Sequence, residues 1–126
     1  MRLLIVRHAE AAAGKPDELR KLTPEGREHA RALGERLRRE GFAPDAVVTS
    51  PLVRARETAA ALALGEPDVD QRLAPGATPD DMRDAARGRG ETIVVVGHQP
   101  DCGNAVRELA GVEVPFPPAG SYELTL

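Results

Sequence analysis

The sequence predicts an α/β fold, a three-layer α/β/α sandwich around a mostly parallel sheet, contained in one domain over residues 1–126. Three observations predict it. Continuous apolar runs rich in β-branched residues stand at Leu3–Val6 and Ile93–Val96, with a shorter one at Ala46–Val48, the pattern of strands buried on both faces. Segments of helical periodicity separate these runs, so successive strands are joined by helical crossovers. A chain of 126 residues is long enough to bury one core and too short to add a second domain.

The elements follow in order. Leu3–Val6 is the first strand, and a long connection over residues 9–22, containing Gly14, Lys15, Pro16 and Asp17, comes directly after it; loops of that length in compact domains are often functional. Thr23-Pro24 reads as an N-cap followed by proline in the first turn, and Gly26, Ala30, Leu33 and Leu37 line one face of the helix they open, which stops near Gly41. After the strand at Ala46–Val48, Ser50-Pro51 repeats the start signal for a helix through about Leu64, ended by Gly65 and Pro67. Thr78-Pro79-Asp80-Asp81 opens a third helix, its acidic residues suited to the positive end of the helix dipole, and Gly88–Gly90 ends it. Ile93–Val96 is the third buried strand, a fourth helix runs from about Pro100 to Ala110, Pro115–Gly120 is a turn-rich connector, and Ser121–Leu126 alternates as a last edge strand.

Composition narrows the functional classes. The chain is 41% hydrophobic and 29% charged, an ordinary globular balance, and no apolar run approaches the ~18 residues of a membrane span. The N-terminal apolar run is shorter than the ~7–15 residues of a secretory core, so a cytoplasmic location is expected. The one cysteine, Cys102, has no partner thiol for a disulfide or a metal site and reads as a small helix residue. A net charge of −3 argues against a nucleic-acid partner, which needs a basic face, so any bound anion must be held by a local pocket.

Ligands of open parallel sheets bind beyond the carboxyl ends of the strands. The first strand delivers Arg7-His8-Ala9-Glu10 there, the second Thr49-Ser50-Pro51 with Arg54 just beyond, and the third Gly97-His98-Gln99-Pro100. Taken singly, Arg7 or Arg54 reads as a solvated or ion-paired arginine, and either histidine as a hydrogen-bonded one. Two histidines and two arginines at three separate strand ends read as a site. A neutral imidazole is a nucleophile for phosphoryl transfer, and fixed guanidinium forks match the charge and geometry of the equatorial oxygens. His29 lies inside the first helix, away from every strand end, and is assigned no chemistry. The pocket is cationic already, so neither a metal nor another cofactor is expected; Arg7 and Arg54 would repel a cation held by His8 and His98.

Leu3–Glu10, Leu22-Thr23-Pro24-Glu25-Gly26, Ser50-Pro51-Leu52-Val53-Arg54-Ala55-Arg56-Glu57-Thr58 and Val96-Gly97-His98-Gln99-Pro100 together resemble, in order and over nearly the whole chain, the histidine phosphatase superfamily, the phosphoglycerate-mutase-like group. The resemblance implies that group's fold and a phosphorylated substrate. It implies that His8 is phosphorylated during turnover, that Arg7 and His98 share the catalytic work, and that Arg7, Arg54, His98 and the backbone N–H of Gln99 hold the phosphoryl oxygens. Ala9 stands where the group usually has glycine, and its methyl is expected to crowd the pocket floor slightly.

Mutase-like members carry a general-acid glutamate two residues after a leucine in the segment beyond the second helix; here Leu73-Ala74 is followed by Pro75. A positioned acid is typically worth ~10²–10⁴ when the leaving group is a poor one. A phosphohistidine needs no such acid, because its ring leaves neutral once the other nitrogen is protonated. The missing acid therefore resembles the small phosphohistidine phosphatases of the SixA type, and a chain without a capping insertion is expected to leave the pocket open to a histidine-phosphorylated protein. The alternatives are an acid supplied by Glu10, Asp80, Asp81 or Asp101, and with it a sugar-phosphate type monoester phosphatase. A mutase, a non-catalytic phosphate-binding module and a metal hydrolase fit less well.

Overall fold

The computed structural model describes residues 1–126. Its strands are β1 (Arg2–Arg7), β2 (Ala46–Thr49), β3 (Pro67–Val69), β4 (Thr92–Gly97) and β5 (Ser121–Thr125), and its helices are α1 (Pro24–Arg39), α2 (Val53–Leu62), α3 (Pro79–Ala86) and α4 (Asp101–Ala110). The strands form one sheet in the order β3-β2-β4-β1-β5. β1, β2, β3 and β4 are parallel, and β5 closes the β1 edge antiparallel.

Successive strand residues point to opposite faces, and that alternation divides the core. Leu4, Val6, Val47, Val94 and Val96 pack under Leu33 and Leu37 of α1 and Ala55, Ala59 and Leu62 of α2. Leu3, Ile5, Val48, Ile93 and Val95 pack under Met82 and Ala85 of α3 and Cys102, Ala105 and Val106 of α4. The result is the expected α/β/α sandwich. Full burial of each large aliphatic side chain contributes about 1.5–3 kcal/mol, so continuous strands such as Ile93–Val96, fully buried at every position, anchor the sheet. No helix is long and apolar enough to cross a membrane.

The helix starts at Thr23 and Thr78 behave as their sequences predict: Thr23 Oγ1 accepts from the Gly26 N–H, and Thr78 forms a reciprocal capping box with Asp81. Others differ. β3 replaces the simple helix terminator expected at Gly65–Pro67; Pro67 is the first residue of an edge strand, where a missing N–H is tolerated. α2 begins at Val53 and ends at Leu62, with Ala63 left-handed at φ 51°. Ser50-Pro51 thus stands outside the helix, and the Ser50 hydroxyl accepts from the Leu52 N–H at 3.2 Å. α3 stops at Ala86, short of Gly88.

The 9–22 connection is tied rather than free. Ala11 bridges Leu22, the Ala12 N–H donates to the Lys21 carbonyl, the Thr23 N–H donates to the Glu10 carbonyl, and the Leu22 N–H donates to Glu57 Oε1 of α2 at 2.8 Å. At its tip a single 3₁₀ turn covers Asp17–Leu19.

Candidate active site

Register brings the predicted residues together. Arg7 pairs with Gly97 and Thr49 with Val96 across the parallel ladders, so His8, Ser50 and His98 emerge side by side where β1, β2 and β4 end. The His8 and His98 ring centroids are 5.2 Å apart with planes tilted by 58°.

His8 Nδ1 lies 2.7 Å from the Ala9 carbonyl oxygen. A carbonyl only accepts, so Nδ1 carries the ring proton and Nε2 keeps its lone pair. Burial is the main cause that holds the His8 pKa below 6.5; the Ala9 hydrogen bond opposes it, and Arg54, Arg7 and Arg20 push the same way as burial. The ring is therefore neutral at pH 7.

His98 is 3% exposed, and its Nε2 lies 2.7 Å from Ser50 Oγ. Its Nδ1 is buried with no partner in the chain, a polar group that a ligand in the site would satisfy. Burial first, then the charge on His8 and Arg54, lowers its pKa to about 4 against an opposing pull from Asp17.

Two arginines flank the pair. Arg7 Nη1 donates to the Phe116 carbonyl at 2.9 Å, while its Nε is buried and unpartnered; the Pro115–Gly120 connector is what aims this side chain. Arg54, buried at the start of α2, is not free: Nη1 donates to the Asp17 carbonyl at 2.9 Å and Nη2 to Asp17 Oδ2 at 3.2 Å. Arg20, from the same loop, donates to Asp17 Oδ1 at 3.0 Å. The Gln99 backbone N–H, at the same rim, makes no hydrogen bond within the chain, whereas its side-chain oxygen accepts from the Gly103 N–H.

Ala9 is fully buried against Leu22 and Ala30 and is not among the residues with positive φ, so its methyl fills a small apolar contact behind the rim instead of crowding the pocket floor. Its N–H donates to Thr58 Oγ1 at 2.9 Å, and that hydroxyl donates to the Arg54 carbonyl at 2.8 Å, which ties the β1 end to α2. Cys102 is a buried thiol whose pKa burial pushes up to about 12, and it takes no part. His29 is exposed on α1, as expected.

The four candidate acids are all engaged elsewhere. Glu10 Oε1 accepts from Thr23 Oγ1, Asp80 pairs with Arg83, and Asp81 closes the α3 capping box. Asp101 Oδ2 accepts from the Gly76 and Ala77 N–H groups at 2.9 and 3.1 Å, and burial raises its pKa. Asp101 thereby pins the turn that carries Pro75 against the start of α4, next to Gln99 and His98. None of the surface cavities is lined by His8, Arg7, Arg54 or His98; Arg54 and His98 are buried at the strand ends.

Sequence reading gave no role to three residues that bond to the rim: Asp17 and Arg20 are visible in sequence only as members of a long loop, and Ser50 stands at the second strand's end and in a helix-start signal without a partner. The loop's position directly after His8 was the one clue to the first two.

Comparison with known proteins bears on the fold and the rim together. The family model described as histidine phosphatase superfamily (branch 1) matches residues 3–76, a span that includes Arg7, His8 and Arg54. The chain is 36% identical over 121 residues to an uncharacterized protein of Picosynechococcus sp., covering 87% of this chain and 73% of that protein. It is 40% identical over 70 residues to the mitochondrial serine/threonine-protein phosphatase Pgam5 of Drosophila willistoni, which is 55% of this chain and 24% of that protein. Among solved structures, the protein histidine phosphatase SixA complexed with tungstate matches with a TM-score of 0.89 at 25% identity, covering 100% of this chain and 88% of that one.

Proposed function

The chain belongs to the histidine phosphatase superfamily, and on that basis we propose that it is a phosphatase that works through a covalent phosphohistidine on His8 and takes protein-borne phosphohistidine as its substrate. The observation that carries the reading is the His8 hydrogen bond to Ala9, which leaves Nε2 unprotonated among Arg7, Arg54 and His98. In the first step the Nε2 lone pair forms a bond to phosphorus as the P–N bond to the substrate ring breaks, and the bonding pair goes to the leaving ring nitrogen. In the second, water attacks phosphorus, the pair returns to Nε2, and the water proton passes to solvent.

Arg7, Arg54, the Gln99 N–H and His98 hold the equatorial oxygens, donors already in place before charge develops. His98 acts as a donor through Nδ1–H in the tautomer in which Ser50 Oγ, which also accepts from the Leu52 N–H, donates its hydroxyl proton to His98 Nε2. The placement of Pro75 supports phosphohistidine as the substrate, because it stands where mutase-like relatives place a proton donor. The likeness to SixA points the same way. The likeness to Pgam5 favours a second reading, a phosphate monoester phosphatase.

The test is a side-by-side incubation of the wild-type chain and His8→Ala with a histidine-phosphorylated protein and a panel of phosphate monoesters. Preferred turnover of phosphohistidine and an acid-labile phosphoenzyme, both lost in His8→Ala, are expected. An acid-stable adduct, or turnover surviving in His8→Ala, removes the mechanism; monoesters turned over faster than phosphohistidine establish the second reading.

A further inference from the structure

We propose that Asp17 is the specificity residue of this site: its carboxylate accepts the ring N–H of a protonated phosphoimidazole, so that the ring departs as neutral imidazole. The inference rests on the phosphohistidine reading above and goes further by naming the group that selects the leaving group.

Geometry comes first. Asp17 sits at the tip of the tied 9–22 loop and reaches the buried Arg54 by both its main chain and its side chain. Arg54 is 8% exposed at the side chain and Asp17 62%, so the carboxylate forms the outer lip above the guanidinium. A carboxylate has about four lone-pair positions; Arg54 takes one and Arg20 another, which leaves acceptor capacity facing outward.

A carboxylate at the mouth of an anion pocket is costly for most phosphate substrates, because it competes for Arg54 and repels an anionic leaving group. It suits a cationic one. Glu10, Asp80, Asp81 and Asp101 bond to Thr23, Arg83, Thr78 and the Gly76–Ala77 turn, whereas Asp17 is the carboxylate that bonds Arg54 directly. It is not a proton donor: hydrogen bonding from Arg20, with the charge and hydrogen bond of Arg54, holds its pKa below the usual value. The charged and titratable groups that bear on it are Arg20 on its own loop, Arg54 on α2 and His98 beyond β4; His8, just beyond β1, feels the same Arg54 and Arg20 together with Arg7, the last residue of β1.

The chemistry balances without an enzyme acid. The substrate ring enters with one nitrogen bonded to phosphorus and the other protonated. Attack by His8 Nε2 breaks the P–N bond, the bonding pair neutralises the ring, and the N–H proton stays where it was, still donated to Asp17. An unpaired ring loses that proton as pH rises through the neutral range of imidazoles. The ring would then have to leave as an anion. Asp17 preserves the protonated form to higher pH, so its effect is largest on the alkaline side.

The experiment compares wild type, Asp17→Asn and Asp17→Glu on a histidine-phosphorylated protein and on p-nitrophenyl phosphate across the pH range. For Asp17→Asn the ratio of kcat/KM for phosphohistidine to that for the aryl phosphate should fall about tenfold or more at neutral pH, the scale of a charge-assisted hydrogen bond. The alkaline limb for phosphohistidine should move to lower pH. Asp17→Glu, which keeps the charge, should restore part of both. An equal loss on both substrates would make Asp17 only a support for Arg54, and an equal gain would make it only a competitor of phosphate; either overturns the inference while wild-type turnover of phosphohistidine leaves the proposed function standing. A wild-type chain inert toward phosphohistidine overturns the proposed function itself.

Discussion

His8 and His98 face each other with ring centroids 5.2 Å apart, a spacing at which protonating one ring opposes protonating the other. His98 is held to about 4, and His8 below 6.5. The phosphatase should therefore lose kcat/KM as pH falls through the lowered His8 value, when Nε2 takes a proton, with a plateau at neutral pH. An acid limb centred above the ordinary imidazole value of 6.5 would contradict the assignment. Stability follows the same sign. Above 6.5 both folded and unfolded histidines are neutral; as pH falls from 6.5 toward about 4 the unfolded chain binds protons that the folded one refuses. For His98 alone the loss reaches roughly 3 kcal/mol at the acid end, and urea unfolding of wild type against His98→Asn across that window measures it.

Ser50 Oγ and His98 Nε2, 2.7 Å apart, lead to a second prediction. Ser50→Ala leaves both ring nitrogens of a buried histidine without a protein partner, so the tautomer is no longer fixed. Turnover should fall by up to about tenfold and stability by ~1–3 kcal/mol, the cost of an unsatisfied buried polar group. The imidazole ¹⁵N shifts of His98 distinguish this from a packing effect: one tautomer in wild type, a mixture in Ser50→Ala.

Arg7→Ala and Arg54→Ala should each lower kcat/KM by ~10²-fold or more, the scale of losing a preorganised electrostatic donor. Lysine should rescue neither well, since a point charge lacks the planar fork. Arg54→Ala carries a further signature, because it also releases the Asp17 tip of the 9–22 loop; hydrogen exchange should rise there in Arg54→Ala and stay unchanged in Arg7→Ala. Unaltered kinetics in either variant would remove that arginine from the site.

Gly34 and Gly103 are both helical glycines with opposite expectations. A Cβ on Gly34 would overlap the Leu62 carbonyl where α1 crosses α2, whereas one on Gly103 meets only the flexible end of Gln99. Gly34→Ala should therefore destabilise by about 1–3 kcal/mol or more through overpacking. Gly103→Ala should be neutral or mildly stabilising, since alanine is favoured over glycine in a helix and Gly103 lies in the first turn of α4, where the gain stays below the about 1 kcal/mol of a helix interior. Thermal melts of the two variants decide it.

The strand ends were legible in the sequence because three buried runs each break into polar residues at the same end, and parallel register does the rest: Arg7 opposite Gly97 leaves His8 beside His98. What periodicity does not carry is the path of a loop. Asp17 reaches Arg54 only because Ala11 bridges Leu22 and Glu57 holds the Leu22 N–H, contacts that no local pattern specifies. β3 was hidden for a related reason: three residues starting at a proline are too few to show alternation. Ser50 looked like a cap because Ser-Pro is a cap signal, and it became a histidine partner because α2 starts at Val53, two residues later than that signal implied.

The last prediction concerns leaving groups. Pro75 lies in the turn that Asp101 fastens and offers a carbon ring and no proton, while Glu10, Asp80, Asp81 and Asp101 hold hydrogen bonds elsewhere. Without a donor, the first step leaves the departing atom to carry the developing charge alone, and its barrier should rise with the basicity of that atom. Aryl phosphates should be hydrolysed well, whereas alkyl and sugar phosphates should lag by something like the ~10²–10⁴ that general-acid catalysis supplies. Pro75→Glu could recover part of the gap, yet loss of the proline also loosens the turn, which makes a series of monoesters of rising leaving-group pKa on the wild-type chain the cleaner measurement. A steep fall of kcat/KM along the series is expected. A flat series, with chemistry shown to limit the rate, would mean that a carboxylate such as Glu10 leaves its bond to Thr23 and donates the proton, and the physical case for phosphohistidine over phosphate esters would then be lost.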